Sequence, residues 1–266
     1  MEIIGLVLLI LFAVSAIAIG AGVVIWLLKN PRGLVWGISS VVLGFFISVW
    51  MVYLLSVACG SQMAGLVIFD SIGIIVIYGL YRKKMFPRFL LEHTSDVVAL
   101  LASIFISSWI MFKSFHSGAP GTLLVGTNEV FDYGHALSVI RSFSQGANIP
   151  YSSPFIAGSA HVYHFLFYFW AGLLERFGLP IVWAFNLPSV LALVAVLMMV
   201  YFLAQYFFRT RVAGMLAMYF ILTHSTLMFW YFLRDSKNLA DPIRALWTNA
   251  SYYFAGPYDG SPISIY

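Results

Sequence analysis

The sequence predicts an all-α protein, a polytopic bundle of transmembrane helices with a long external loop that holds short amphipathic helices. Three observations carry this. Hydrophobic residues fill 62% of the 266 positions and charged residues 9%, whereas an ordinary soluble domain carries roughly 25% charged residues. Between Arg32 and Arg82 the ionisable side chains other than tyrosines are Cys59 and Asp70, and such an interval holds more than the roughly 20 apolar residues needed to cross a hydrocarbon core. The basic residues stand in small groups beside apolar segments, where they act as topological anchors rather than forming a face for nucleic acid.

The first segment, 3–28, follows Glu2 rather than a basic stretch, and its apolar run outlasts the core of a cleaved signal peptide. It therefore reads as a retained helix. Segments 33–57, 62–80 and 97–113 follow, the fourth with Trp109 and Lys113 suited to an interface. Two more crossings fit at 181–207 and 212–232, separated by Arg209-Thr210-Arg211. Lys29 and Arg32, then Arg82, Lys83, Lys84 and Arg88, mark inner loops, which puts the N-terminus and residues 114–160 outside. A loop beyond roughly 15 residues is usually functional or disordered. Residues 161–178 (HVYHFLFYFWAGLLERFG) are apolar enough to enter a membrane but end in Glu175-Arg176. If they cross, Arg209 and Arg211 fall outside; if they lie on or dip into the outer surface, the positive-inside pattern holds. The second reading, with six crossings, is the one expected. It puts residues 233–266 outside as well. The chain thus divides into three N-terminal helices (1–95), a segment with an external loop at 114–180 (96–241), and a final stretch (242–266) that reads as interrupted. Cys59 is the sole cysteine, so no intrachain disulfide or thiolate cluster is available.

Chemistry-bearing residues fall into three groups. In Glu129-Val-Phe-Asp132-Tyr-Gly-His135, Asp132 and His135 share a helix face at i, i+3. Asp132 also suits a helix N-cap, and Ala136, Leu137, Val139, Ile140 and Arg141 continue an amphipathic surface helix. In the second group, Tyr151-Ser-Ser-Pro154 leads to Gly158 and then His161, Tyr163 and His164. Two histidines do not complete a zinc site; they fit either a substrate phosphate or hydroxyl, or simple interfacial packing. In the third group, Arg234 and Lys237 suit a phosphate, and Asp235 and Asp241 could give oxygen ligands to a divalent cation. A solvated local pair of Arg234 with Asp235 is the plainer alternative. Asp70 and His224 are ionisable residues inside helices, and Asn249-Ala-Ser251 matches a glycosylation acceptor.

From the long loop onward the chain resembles the polytopic GT-C glycosyltransferases, in the branch of lipid-phosphate-sugar-dependent mannosyltransferases and aminoarabinose transferases. The likeness rests on EVFDYGHALSVIRSFSQGANIPYSSPFIAG, then HVYHFLFYFWAGLLERFGLP and WAFNLPSVLALVAVLMMVYFLAQYFF, over roughly 97–241. Asp132 matches the family's loop acid, with Glu129 as the lesser substitute. Gly146-Ala-Asn148-Ile-Pro150 matches its turn, Phe177-Gly178 the end of its aromatic helix, and Asn186-Leu-Pro188-Ser189 the next helix entry. The resemblance implies that Asp132 and Asp235 are the catalytic acids and that Glu129, His135, His161, Tyr163, His164, Arg234 and Lys237 bind substrate. It implies a polyprenyl-phosphate sugar donor, a glycan, lipid or protein acceptor, and a plasma-membrane location. An acid would either deprotonate the acceptor or position a divalent cation, the one cofactor this reading allows.

Three departures stand out. Three helices precede the one that leads into the loop, Asn186 stands where arginine is common, and the chain ends before the family's further helices. A partner chain supplying those helices is therefore expected. The rival readings are a transporter component, which needs polar or broken helices at the midplane, and a noncatalytic assembly protein, which would tolerate loss of both acids.

Overall fold

The computed structural model describes residues 3–27, 33–85, 93–125, 130–146, 148–156, 164–223, 234, 238, 240 and 241. The helices are α1 (Ile3–Leu27), α2 (Gly33–Cys59), α3 (Gln62–Arg82), α4 (Thr94–Ser114), α5 (Val130–Ser144), α6 (Leu166–Arg176), α7 (Ile181–Phe208) and α8 (Arg211–Thr223). Five of them are long and apolar enough to cross a membrane: α1 from Val7, α2, α3, α4 and α7. Large apolar side chains on them face outward, among them Phe46 at 63% and Ile75 at 69% exposure. Water would penalise so much apolar surface and lipid does not. The chain is a multi-pass membrane protein.

It divides into two compact units, Met1–Val97 with His135–Ala192, and Val98–Gly134 with Leu193–Tyr266. In the first, α1, α2 and α3 pack along a seam of small residues. In α2 the buried positions include Ser40, Gly44, Ser48, Val52 and Ser56, one residue per turn on one face. A Cβ on Gly20 of α1 would fall on the Ser40 carbonyl oxygen and 2.6 Å from the Gly44 nitrogen. Likewise Gly65 of α3 meets Ser56, and Gly73 of α3 meets Ser15 of α1. Between helices that lipid surrounds, attraction comes from close backbone approach rather than from expelling water, so small residues mark the contact. The seam serines turn their hydroxyls back on their own helix. Ser40 donates to the Trp36 carbonyl at 2.7 Å and Ser56 to that of Val52 at 2.6 Å, which meets the need for an internal partner where water is absent. Phe12 packs against both Phe45 and Phe69, with centroids 5.9 and 5.7 Å away.

In the second unit, Phe115–Ser117 and Leu123–Val125 form an antiparallel hairpin, β1 and β2. It lies at the start of the stretch expected as an external loop, for which no strand was expected. Its turn is built by Pro120 and Gly121: Gly121 has φ of 81° and the Thr122 amide donates to the Ala119 carbonyl at 2.8 Å. Proline followed by a positive-φ glycine is the chemistry of a type II turn. The α7–α8 connection is just as tight. Arg209 takes φ of 58° and ends α7, and the Thr210 hydroxyl accepts from the Ala213 amide at 3.2 Å as the N-cap of α8. Gly214 then meets Tyr201, which is fully buried. Pro188 lies inside α7 without ending it. The sixth expected crossing, 212–232, is described only as far as Thr223.

Candidate functional site

At one end of the α1–α3 bundle, the end holding the start of α1 and the α2–α3 turn, residues 135–146, 148–156 and 164–177 form a cap. Its first element is α5, where Ala136, Val139, Ile140 and Phe143 are buried at helical spacing. Gln62, the first residue of α3, donates from Nε2 to the Phe143 carbonyl at 2.9 Å. This occupies one of the carbonyls that a helix C-terminus leaves without an internal partner. Arg176 Nη1 donates to the neighbouring Ser144 carbonyl at 3.3 Å. Its guanidinium lies over Gly146, whose φ of 76° closes the helix.

The turn that follows is organised by one side chain. Asn148 is buried, and its Nδ2 donates to Ser142 Oγ at 2.8 Å and to the Ser152 carbonyl at 2.9 Å. Its Oδ1 accepts from the Ser152 amide at 2.8 Å and the Ser152 hydroxyl at 3.1 Å. Asparagine alone carries both donors and acceptors in the compact planar form this needs. The loop is anchored again where the Tyr151 amide donates to the Tyr53 hydroxyl of α2 at 3.2 Å. The Tyr151 ring stacks on Phe143 at 5.1 Å and meets Phe165 at 4.8 Å. Burial pushes the Tyr151 phenol above its ordinary range, so it keeps its proton through neutral pH.

The third element, α6, has 11 residues. At the helical rise it is about 16 Å long, about half of a hydrocarbon core, so it does not cross by itself. It lies instead along α2 between Phe45 and Tyr53. Phe165 and Phe169 meet Tyr53 at 4.8 and 5.3 Å, and Trp170 stacks on Phe45 at 5.1 Å. A Cβ on Gly5 of α1 would strike the Phe177 carbonyl. Against α5, Gly172 lies so close that a Cβ would be 2.9 Å from the Ile140 carbonyl. Arg141 and Glu175 pair across this contact at 2.9 Å, with side chains 56% and 11% exposed. The Arg141 end is exposed but Glu175 is largely covered, so Arg141→Ala strands a carboxylate and should lower the unfolding free energy of the solubilised chain by more than the roughly 1 kcal/mol of a surface pair, read in a denaturant titration.

Among the expected site residues, the structure brings His135 and His164 to one side chain. His135 stacks on Phe155 at 4.7 Å and 21°, and stands edge-on to Tyr168 at 6.4 Å; His164 stacks on the same Tyr168 at 6.0 Å. His164 and Phe155 are exposed and His135 is half-buried. The Ser153 hydroxyl helps to set Phe155, accepting from its amide at 3.3 Å. Asp132 is exposed in the first turn of α5. The helix begins at Val130, so Asp132 is a first-turn acid favoured by the helix dipole, not the N-cap. Arg234 is exposed, while Glu129, His161, Tyr163, Asp235 and Lys237 lie outside the described residues.

Gln62, Tyr53, Asn148, Phe155 and Tyr168 take part in this arrangement, and the sequence reading gave none of them a functional role. The available signals were a polar residue opening an apolar helix at Gln62 and the aromatic density of 165–170. Among the described residues, no group of three or more His, Cys, Asp and Glu comes together to hold a metal ion. Imidazole and phenol are also a poor match for a hard divalent cation, which takes oxygen ligands and carboxylates. Comparison with protein-family models, with curated proteins and with solved structures finds no match.

Proposed function

We propose that this chain is a membrane glycosyltransferase, taking a sugar from a polyprenyl-phosphate donor at the outer face of a plasma membrane. One observation carries the reading: the cap of α5, the 148–156 loop and α6 collects His135 and His164 around Tyr168 at the bundle end opposite the basic Lys83 and Lys84. A lipid-borne donor keeps its chain in the bilayer and its phosphate at the polar rim. Imidazoles there donate hydrogen bonds to the phosphate, and flat aromatic faces suit a sugar ring. Asp132, on the same helix as His135, takes the proton of the acceptor hydroxyl. The acceptor oxygen bonds to the anomeric carbon as the bond from that carbon to the phosphate oxygen breaks. The polyprenyl phosphate leaves with its charge stabilised by the histidines.

Topology gives the first test. In a Cys59→Ser background, Asp132→Cys and Asp241→Cys should react with an impermeant maleimide from outside and Arg209→Cys should not. Reaction at Arg209→Cys with none at Asp241→Cys would separate the two loops across the membrane and end the proposal. The second test is sugar transfer from a polyprenyl-phosphate sugar by membranes holding the chain. Asp132→Asn should lower it by about 100-fold or more, the usual contribution of a positioned base. Wild-type rates in Asp132→Asn would exclude that residue as the base.

A further inference from the structure

Asp70 lies on α3, inside a helix long and apolar enough to cross the membrane. It is 5% exposed, and neither carboxylate oxygen has a hydrogen-bond partner by distance and angle among the described residues. Its polar neighbour is the side chain of Ser15 of α1, which interacts with the carboxylate without forming a full hydrogen bond. The local geometry explains the pairing. Gly73, one turn after Asp70, packs against Ser15 so closely that a Cβ there would overlap the serine side chain. The bare glycine therefore admits Ser15 to the face of α3 that carries Asp70.

Nothing on the three packed helices offsets the charge. α1 from Ile3 to Leu27 has no titratable side chain. On α2 these are Tyr53, held in the aromatic cap, and Cys59, which is exposed. On α3 itself they are Tyr78 and Tyr81, both exposed, and Arg82 at the helix end. Arg82 is twelve positions along, about 18 Å at the helical rise. A bare carboxylate buried without a countercharge or hydrogen bonds costs several kcal/mol, and an ionisable residue inside a membrane bundle commonly marks an ion or proton path.

We infer that Asp70, with Ser15 beside it, is a binding site for a small monovalent cation taken from solution, either a proton or an alkali-metal ion, within the α1–α3 bundle. This goes beyond glycosyl transfer and does not depend on it. Occupancy neutralises the carboxylate, and Ser15 offers one further oxygen. Because Ser15 also lies at the close contact with Gly73, filling or emptying the site acts directly on the α1–α3 seam.

The test is infrared difference spectroscopy of the full chain in lipid nanodiscs at pH 7, wild type minus Asp70→Asn, in sodium chloride and in choline chloride. A carbonyl stretch of a protonated carboxyl, present in both salts and absent from Asp70→Asn, establishes the proton. Carboxylate bands that shift when sodium replaces choline establish the alkali ion. Carboxylate bands indifferent to the salt would show an ionised, unoccupied Asp70 and overturn the inference. Asp70→Asn removes the charge at nearly constant volume; if it does not fold, Asp70→Ser serves as the reference.

Discussion

Gly44→Leu is expected to separate α1 from α2 and remove the folded bundle. Gly44 is buried in the seam, and even a single Cβ there would overlap the Ala16 carbonyl and lie 3.4 Å from the Gly20 Cα. Both obstacles are backbone, so no rotamer change on the neighbouring helix relieves them. Overpacking a tolerant core costs roughly 1–3 kcal/mol, and a backbone clash at the helix crossing should exceed about 3 kcal/mol. Thermal unfolding of the chain in detergent, followed by circular dichroism, should show the loss. Gly79→Ala is the control: nothing lies within 4 Å of its Cβ position, and alanine in an open helical site should be neutral or gain up to about 1 kcal/mol. If Gly44→Leu unfolds at the same temperature as Gly79→Ala, the seam is not what joins the two helices.

Asn148→Ala should release the 148–156 loop while leaving α1–α3 folded. The substitution removes four hydrogen bonds made with Ser142 and Ser152. At about 0.5–1.5 kcal/mol each, net of water's competition, their loss should cost about 2–6 kcal/mol of local stability. Hydrogen–deuterium exchange at the Ser152 amide should accelerate by about 30-fold or more. The Tyr151 amide, held by Tyr53 next to it, should follow. The displacement carries to the site because Phe155, stacked on His135, belongs to the same loop. Asn148→Asp keeps the acceptor for the Ser152 amide and loses the two donors, so it should fall between alanine and wild type. Exchange unchanged in Asn148→Ala would mean the loop is held by its aromatic contacts alone.

The two substitutions test different kinds of information in the sequence. Gly44 belongs to a run of small residues four apart, Ser40, Gly44, Ser48 and Ser56 with Val52 between, which can be read from the chain once small residues are taken as contact markers. Hydrophobic periodicity does not disclose it, because α2 is apolar around most of its circumference. The Pro120-Gly121 pair that builds the hairpin turn is equally visible in the chain, but flanking strands of three residues each are too short to show an alternating pattern. Asn148 is another matter. Its place in a turn could be inferred from Gly146 and Pro150, but not that its side chain would be buried and reach back to Ser142.

For the site, the sequence supplied the amphipathic pattern of α5 and the possibility that 161–178 does not cross. Of this, the structure describes α5 over Val130–Ser144 and an 11-residue α6. Neither Phe155 over His135 nor Tyr168 between the two histidines could be foreseen. The two contacts of His135 join positions 20 and 33 residues apart, and the place of Phe155 depends on a loop held by Asn148 and Tyr53.

The sequence by itself determined where the long membrane helices lie, because hydropathy is a sum over contiguous residues and the cost of a charge in lipid is paid wherever the charge sits. The expected 3–28 and 181–207 became Ile3–Leu27 and Ile181–Phe208 on that ground alone. Tertiary structure decided which faces meet, that α6 lies on α2 through Trp170 and Phe45, and that Asp70 is enclosed rather than turned to a polar surface. Those outcomes depend on shape at contacts between distant segments, where one absent Cβ at Gly20 or Gly73 sets how near two helices come.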